Sequence, residues 1–121
     1  METTRQLKVA RLVQKAISQI FIKEGVSIYG HCMVSVTTVR ISPDLSVARI
    51  YISIFGASPK DVINNLNQHK PRIRFWLGNE VKKQLRIIPE LAFFHDDSAD
   101  YAEKMDRIFD QIHRKNDAEE E

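Results

Sequence analysis

Cys32 is the only cysteine in the sequence, so no internal disulfide can staple the chain, and a reducing cytoplasm is the expected setting. The first residues, Met1 to Lys15, hold no continuous apolar run of the kind a secretion signal needs. Charged or polar residues also interrupt every longer apolar stretch before it reaches the roughly 20 residues of a membrane span. The expected protein is therefore soluble and has no membrane partner. Internal repeats are absent, and low complexity is confined to the acidic end. Catalytic constellations are equally scarce. Cys32 beside His31 is a poor nucleophile pair, because adjacent strand residues point to opposite faces and no orienting acid is evident.

What is present suits one globular domain. The chain has 121 residues, 43% of them apolar and 28% charged, enough to bury one core without metal or disulfide support. The net charge of +2 conceals a strong asymmetry. Residues 1–89 carry 14 Lys and Arg against 5 Asp and Glu, whereas residues 90–121 carry 4 against 11. A basic body followed by an acidic tail suits a polyanionic partner, for which counterion release supplies much of the affinity.

Periodicity predicts the elements. Leu7, Ala10, Val13, Ile17, Ile20 and Phe21 recur at three- and four-residue steps among Arg5, Lys8, Arg11 and Lys15, which predicts an amphipathic helix from Thr4 to Glu24 with Gly25 as its stop. Met33 to Ile41 and Val47 to Phe55 are β-branched runs joined by the turn signal Ser42-Pro43-Asp44-Leu45, hence an antiparallel hairpin. Ser58-Pro59-Lys60-Asp61 opens a helix carrying Val62, Ile63 and Leu66, which Gln68-His69-Lys70-Pro71 must interrupt. A second helix restarts at Pro71 with the buried stripe Ile73, Leu77, Val81 and Leu85, and about 100° per residue places Arg72, Asn79, Lys83 and Arg86 on its opposite face. Leu91 to His95 reads as a third strand. Asp97 to Asp100 then caps a last helix with Tyr101, Met105, Ile108, Phe109 and Ile112 at helical spacing.

The order is that of a KH-like α+β domain, type II (α-β-β-α-kink-α-β), with an additional C-terminal helix. Residues 1–114 form the expected domain and 115–121 a flexible acidic tail. Three stretches resemble the ribosome-binding factor A family. They are the hairpin Val34 to Thr37 through Ser42-Pro43-Asp44-Leu45-Ser46-Val47-Ala48 to Ile52, the pair Ile73-Arg74 followed by Leu77-Gly78, and Leu85-Arg86-Ile87-Ile88-Pro89-Glu90-Leu91-Ala92-Phe93 through Ser98. Together they span most of residues 5–112. The resemblance implies a monomeric, non-enzymatic assembly factor without cofactor that binds the free small ribosomal subunit and its rRNA. It further implies support for late maturation, including 5′-end processing of that rRNA, and departure before translation, with a ribosome-assembly GTPase as a further candidate partner. Where family members carry an Ala-x-Gly kink, this sequence has His69-Lys70-Pro71, so proline is expected to enforce the break.

Lys70, Arg72, Lys82, Lys83 and Arg86 are the leading nucleic-acid-binding candidates, because phosphates call for long cations clustered on one face, near the positive end of a helix. Alone, the same pattern fits a solvated helix face; the resemblance favours the RNA reading. Arg5, Lys8, Arg11, Lys15, Arg40 and Arg49 are secondary candidates. Phe75 and Trp76 border the basic stripe and could stack on a base, although core packing is the commoner role. His95, Asp96, Asp97 and Asp100 have metal-ligand chemistry, but capping explains Asp97 and Asp100 and no distant ligand is evident, so no metal site is expected. The competing functions are a KH-like module acting on a non-ribosomal RNA and a small metal-dependent hydrolase built on the His95 group.

Overall fold

The computed structural model describes residues 2–97; the expected last helix, Asp100 and the acidic tail lie outside them. Six elements follow in order: helix α1 (Thr4–Tyr29), strands β1 (Met33–Ile41) and β2 (Val47–Phe55), helices α2 (Pro59–Gln68) and α3 (Lys70–Val81), and strand β3 (Glu90–His95). The sheet order is β1-β2-β3, antiparallel between β1 and β2 and parallel between β2 and β3. Helices cover one face: α1 runs along β1 and packs on α3, and α2 lies against β3. This is the expected α+β, KH-like order. Among the described residues no helix is long and apolar enough to cross a membrane.

α1 begins with a reciprocal cap. The Gln6 amide donates to the Thr3 hydroxyl at 3.2 Å, and the Thr3 amide donates to Gln6 Oε1 at 2.8 Å. The Gln6 side chain then turns inward, and its Nε2 donates to the Ile41 carbonyl at 2.9 Å. One buried glutamine thus caps a helix and ties it to the far end of β1. Leu7, placed in the buried stripe by periodicity, is 45% exposed instead; Val9 and Gln6 take the interior positions. The helix also outruns its expected stop by five residues, from Glu24 to Tyr29. Gly25 lies within it because a β-carbon there would collide with the Tyr29 ring. Gly30, at φ 82°, ends the helix in the left-handed region that glycine enters without penalty.

β1 carries a bulge at Thr37. Val36 pairs with Ile52 and Thr38 with Tyr51, which leaves Thr37 without a cross-strand partner. The extra residue resets the alternation. Val34 and Val36 before it, and Val39 and Ile41 after it, therefore all lie opposite the core-facing Ile54, Ile52, Ile50 and Ala48 of β2. The hairpin turn puts Leu45 at φ 63°, which costs a branched residue about 1 kcal/mol. A local network holds it: Asp44 Oδ1 accepts from the Ser42 hydroxyl at 2.7 Å, the Ser46 hydroxyl at 2.7 Å and the Ser46 amide at 3.1 Å.

These bonds, first from the Ser46 hydroxyl and then from Ser42, lower the Asp44 carboxyl from an ordinary 3.8 to about 2. The folded pKa is depressed, so Asp44's contribution to stability is complete above the ordinary value and is lost as pH falls through the folded one. Asp44→Asn is expected to flatten the dependence of stability on pH between 3.8 and about 2. Urea unfolding at a series of pH values checks this; parallel profiles for the two proteins would reject it.

The two-helix unit breaks at His69, the last cap of α2 and the first of α3, with φ −99° and ψ 8°. Its Nδ1 lies 2.8 Å from the Asn65 carbonyl, which can only accept, so that nitrogen carries the hydrogen. Pro71 is the second residue of α3, one position later than expected, in the first turn where its missing N–H costs no helical bond.

Candidate nucleic-acid interface

The apolar stripe Ile73, Leu77 and Val81 is buried as the spacing requires, at 0%, 0% and 1% exposure. α3 nevertheless stops at Val81, where the expected helix ran on past Leu85. The Gln84 and Leu85 amides both donate to the Val81 carbonyl at 2.9 Å, closing a final turn. Leu85 still packs on the core, so the stripe is right about contact and wrong about the element. Arg74 supplies the reason for the reversal. Its guanidinium donates to the carbonyls of Ile88 at 2.7 Å and Pro89 at 3.3 Å and reaches Glu90 at 3.5 Å. These bonds require the chain to turn back before Pro89. Gly78 allows Ile88 to lie close, since a β-carbon there would sit 3.5 Å from it.

This turn redistributes the five leading cations. Lys70 and Arg72 stand in the first turn of α3, Lys70 half-buried and Arg72 exposed. No acidic residue shares that turn and no side chain caps it, so within the turn two cations meet the helix's positive end with no acidic neighbour. Such an arrangement is costly alone and suited to an anion. Lys82 caps the other end of α3 and lines a groove of about 540 Å³ with Pro71, Arg74, Phe75 and Asn79. Lys83 is exposed on the turn beyond. Arg86 leaves the helix altogether.

Arg86 instead joins Arg5 and Lys8 of α1 in a cleft of about 600 Å³, closed by the β1–β2 turn and the segment from Gln84 to Pro89. Two groups that the sequence kept apart, the leading Arg86 and the secondary Arg5 and Lys8, thus share one site. Spacing cannot reveal this, because 78 or more residues separate them and the Arg74 clamp decides where the loop goes. Arg40 and Arg49 lie directly opposite each other on the sheet face turned away from the helices. Phe75 is 66% exposed, whereas Trp76 is half-buried and packs against the core.

Cys32 is half-buried, its thiol donates toward the Tyr29 carbonyl at 3.7 Å, and burial pushes its pKa up, away from the thiolate that nucleophilic attack requires. Burial, followed by the adjacent Cys32, likewise raises the Tyr29 phenol. The Thr37 hydroxyl donates to Asp96 Oδ2 at 2.5 Å. Among the described residues, His95, Asp96 and Asp97 do not form a three-ligand group.

A three-stranded mixed sheet backed by one long helix and a kinked helix pair defines a KH-like domain. Residues 5–109 match the Ribosome-binding factor A family. The chain belongs to that family. It is 44% identical over 113 residues to ribosome-binding factor A of Cytophaga hutchinsonii, covering 93% of this chain and 85% of that one. With the Flavobacterium johnsoniae protein of the same name it shares 40% over 111 residues, 88% of this chain and 83% of the other. The crystal structure of ribosome-binding factor A from Thermus thermophilus superposes with a TM-score of 0.64 at 19% identity, covering 74% of this chain and 94% of that one. A homology model of the Thermus thermophilus factor, fitted into a cryo-electron-microscopy map of its 30S complex, gives 0.60 at 20% identity over 73% and 91% of the two chains. At such identities the structural likeness speaks to fold.

Proposed function

We propose that this chain binds the free small ribosomal subunit during its late maturation, contacting rRNA through Lys70, Arg72, Lys82, Lys83 and Arg86, with Arg5 and Lys8 joining Arg86. The observation that carries this reading is family membership across residues 5–109, supported by the Thermus thermophilus relative fitted into a 30S complex. The cations in the first turn of α3, and Arg5, Lys8 and Arg86 set against Asp44 alone among the residues lining the α1 cleft, add a surface of suitable chemistry. The chain acts by binding, as a cytoplasmic monomer. It supports 5′-end processing of the rRNA without cleaving it, since binding can hold a terminus in a processing-competent shape. A ribosome-assembly GTPase is a candidate second partner.

Gradient sedimentation tests the reading. The purified protein is expected to travel with free small subunits, weakly with complete ribosomes, and progressively less as salt rises. Equal association with both particles would remove the assembly role and redirect the search to a non-ribosomal RNA.

A further inference from the structure

The bulge at Thr37 fixes what the outer face of the sheet presents. Across that face, Arg40 lies opposite Arg49, and Thr38 opposite Tyr51, which itself neighbours Phe94 on β3. The Tyr51 and Phe94 rings stack with centroids 5.3 Å apart and planes 25° from parallel, and Phe94 remains 43% exposed. Thr38, Arg40, Arg49, Tyr51 and Asp96 line a shallow groove of about 380 Å³.

Neither arginine forms an ion pair among the described residues. Like charges directly opposite on a sheet destabilise it, and Asp96, which accepts from the Thr37 hydroxyl, is the one carboxylate among the described residues that line the groove. Among the described residues, the groove therefore has two arginines against one carboxylate, a positive excess beside a half-exposed aromatic ring. A protein that keeps such a pair at the expense of its own stability gains most when an anion lies between the guanidinium groups. A polymer alternating anionic phosphates with flat bases meets both features at once, and a single strand leaves its bases free to stack.

We propose that the outer sheet face is a second RNA-binding surface, taking an unpaired strand with a phosphate between Arg40 and Arg49 and a base on the Tyr51–Phe94 stack. It lies on the opposite side of the sheet from the helices that carry the α3 and α1 cations, so one molecule can hold two RNA segments. This rests on the RNA-binding reading above and specifies a separate contact within it.

The test uses the full chain, an octauridine RNA and an abasic oligomer of the same length. Arg40→Gln with Arg49→Gln is expected to weaken binding of both oligomers about fourfold at 0.15 M salt and to lower the octauridine salt slope by about 0.7, the value for one neutralised phosphate on a single strand. Phe94→Ser is expected to weaken octauridine about tenfold and leave the abasic oligomer unchanged. The arginine variant relieves repulsion, so its thermal transition should not fall; this keeps the test valid even if Phe94→Ser folds poorly.

Failure of the wild-type chain to bind octauridine, or unchanged octauridine affinity and slope in the arginine variant, would overturn the inference. Sedimentation of the same proteins with free small subunits separates the two readings. If the wild-type protein sediments with subunits while the sheet variants bind oligomers normally, only the sheet surface falls. If it does not sediment yet the variants lose octauridine, the sheet surface stands and the ribosomal reading falls.

Discussion

Truncating Leu77 to alanine lowers the free energy of unfolding by about 3 kcal/mol, within the range for removing a fully buried leucine and leaving part of its volume empty. Leu77 is 0% exposed, on the face of α3 that meets α1 and the sheet. The neighbouring positions give the control. Phe75 is larger but 66% exposed, so Phe75→Ala should change stability by less than about 1 kcal/mol. For a domain near 100 residues, a loss of 3 kcal/mol corresponds to a drop of roughly 15 °C in the unfolding midpoint. Urea titration with an unchanged m-value checks the first figure. A loss under about 1 kcal/mol for Leu77→Ala would mean that α3 does not rest on α1, and the placement of every cation on and beyond α3 would fall with it.

That consequence shows which parts of the fold were legible. Ile73, Leu77 and Val81 repeat every four residues, and the burial that this spacing demands is what the structure contains. The alternation of Ala48, Ile50, Ile52 and Ile54 in β2 behaves in the same way. Such patterns work because burial selects side chains directly. Element ends are another matter, because they depend on partners distant in sequence. Gly25 looks like a stop but makes room for the Tyr29 ring, while Gly30 does the stopping. Leu85 continues the stripe, yet the helix has ended, because the Arg74 guanidinium holds the Ile88 and Pro89 carbonyls.

β1 carries a further signal in its sequence. In β1 the core-facing positions shift from Val34 and Val36 to Val39 and Ile41, a break in parity that announces a bulge between them. Without the bulge, one half of β1 would turn its valines to the outer face, and Arg40 would not stand beside Arg49. Gln6 left no comparable trace. Its capping role follows from its place three residues after Thr3, but its bond to the Ile41 carbonyl depends on how α1 crosses the sheet. The candidate site divides along the same line: the residue types were legible, and their grouping was not.

That grouping determines the largest expected effect on binding. A cation that neutralises one phosphate on a duplex contributes roughly 0.9 to the slope of log affinity against log salt. Extrapolated from 1 M to 0.15 M salt, this is about fivefold in affinity per contact. Replacing Lys70, Arg72, Lys82, Lys83 and Arg86 together by glutamine should therefore weaken binding to free small subunits by about three orders of magnitude and reduce the slope by about 4 to 5. The four exposed members of the set carry little of the core, so the unfolding midpoint should stay within a few degrees. Division of the set distinguishes the two arrangements. If the cations acted from one continuous helix face, Arg86→Gln would interact with Lys83→Gln and be indifferent to α1. The structure instead puts Arg86 beside Arg5 and Lys8. A double-mutant cycle should then find Arg86 coupled to Arg5 or Lys8 and additive with Arg72. Coupling of Arg86 to Arg72 alone would restore the single-face arrangement, and a slope unchanged by all five substitutions would remove these residues from the interface.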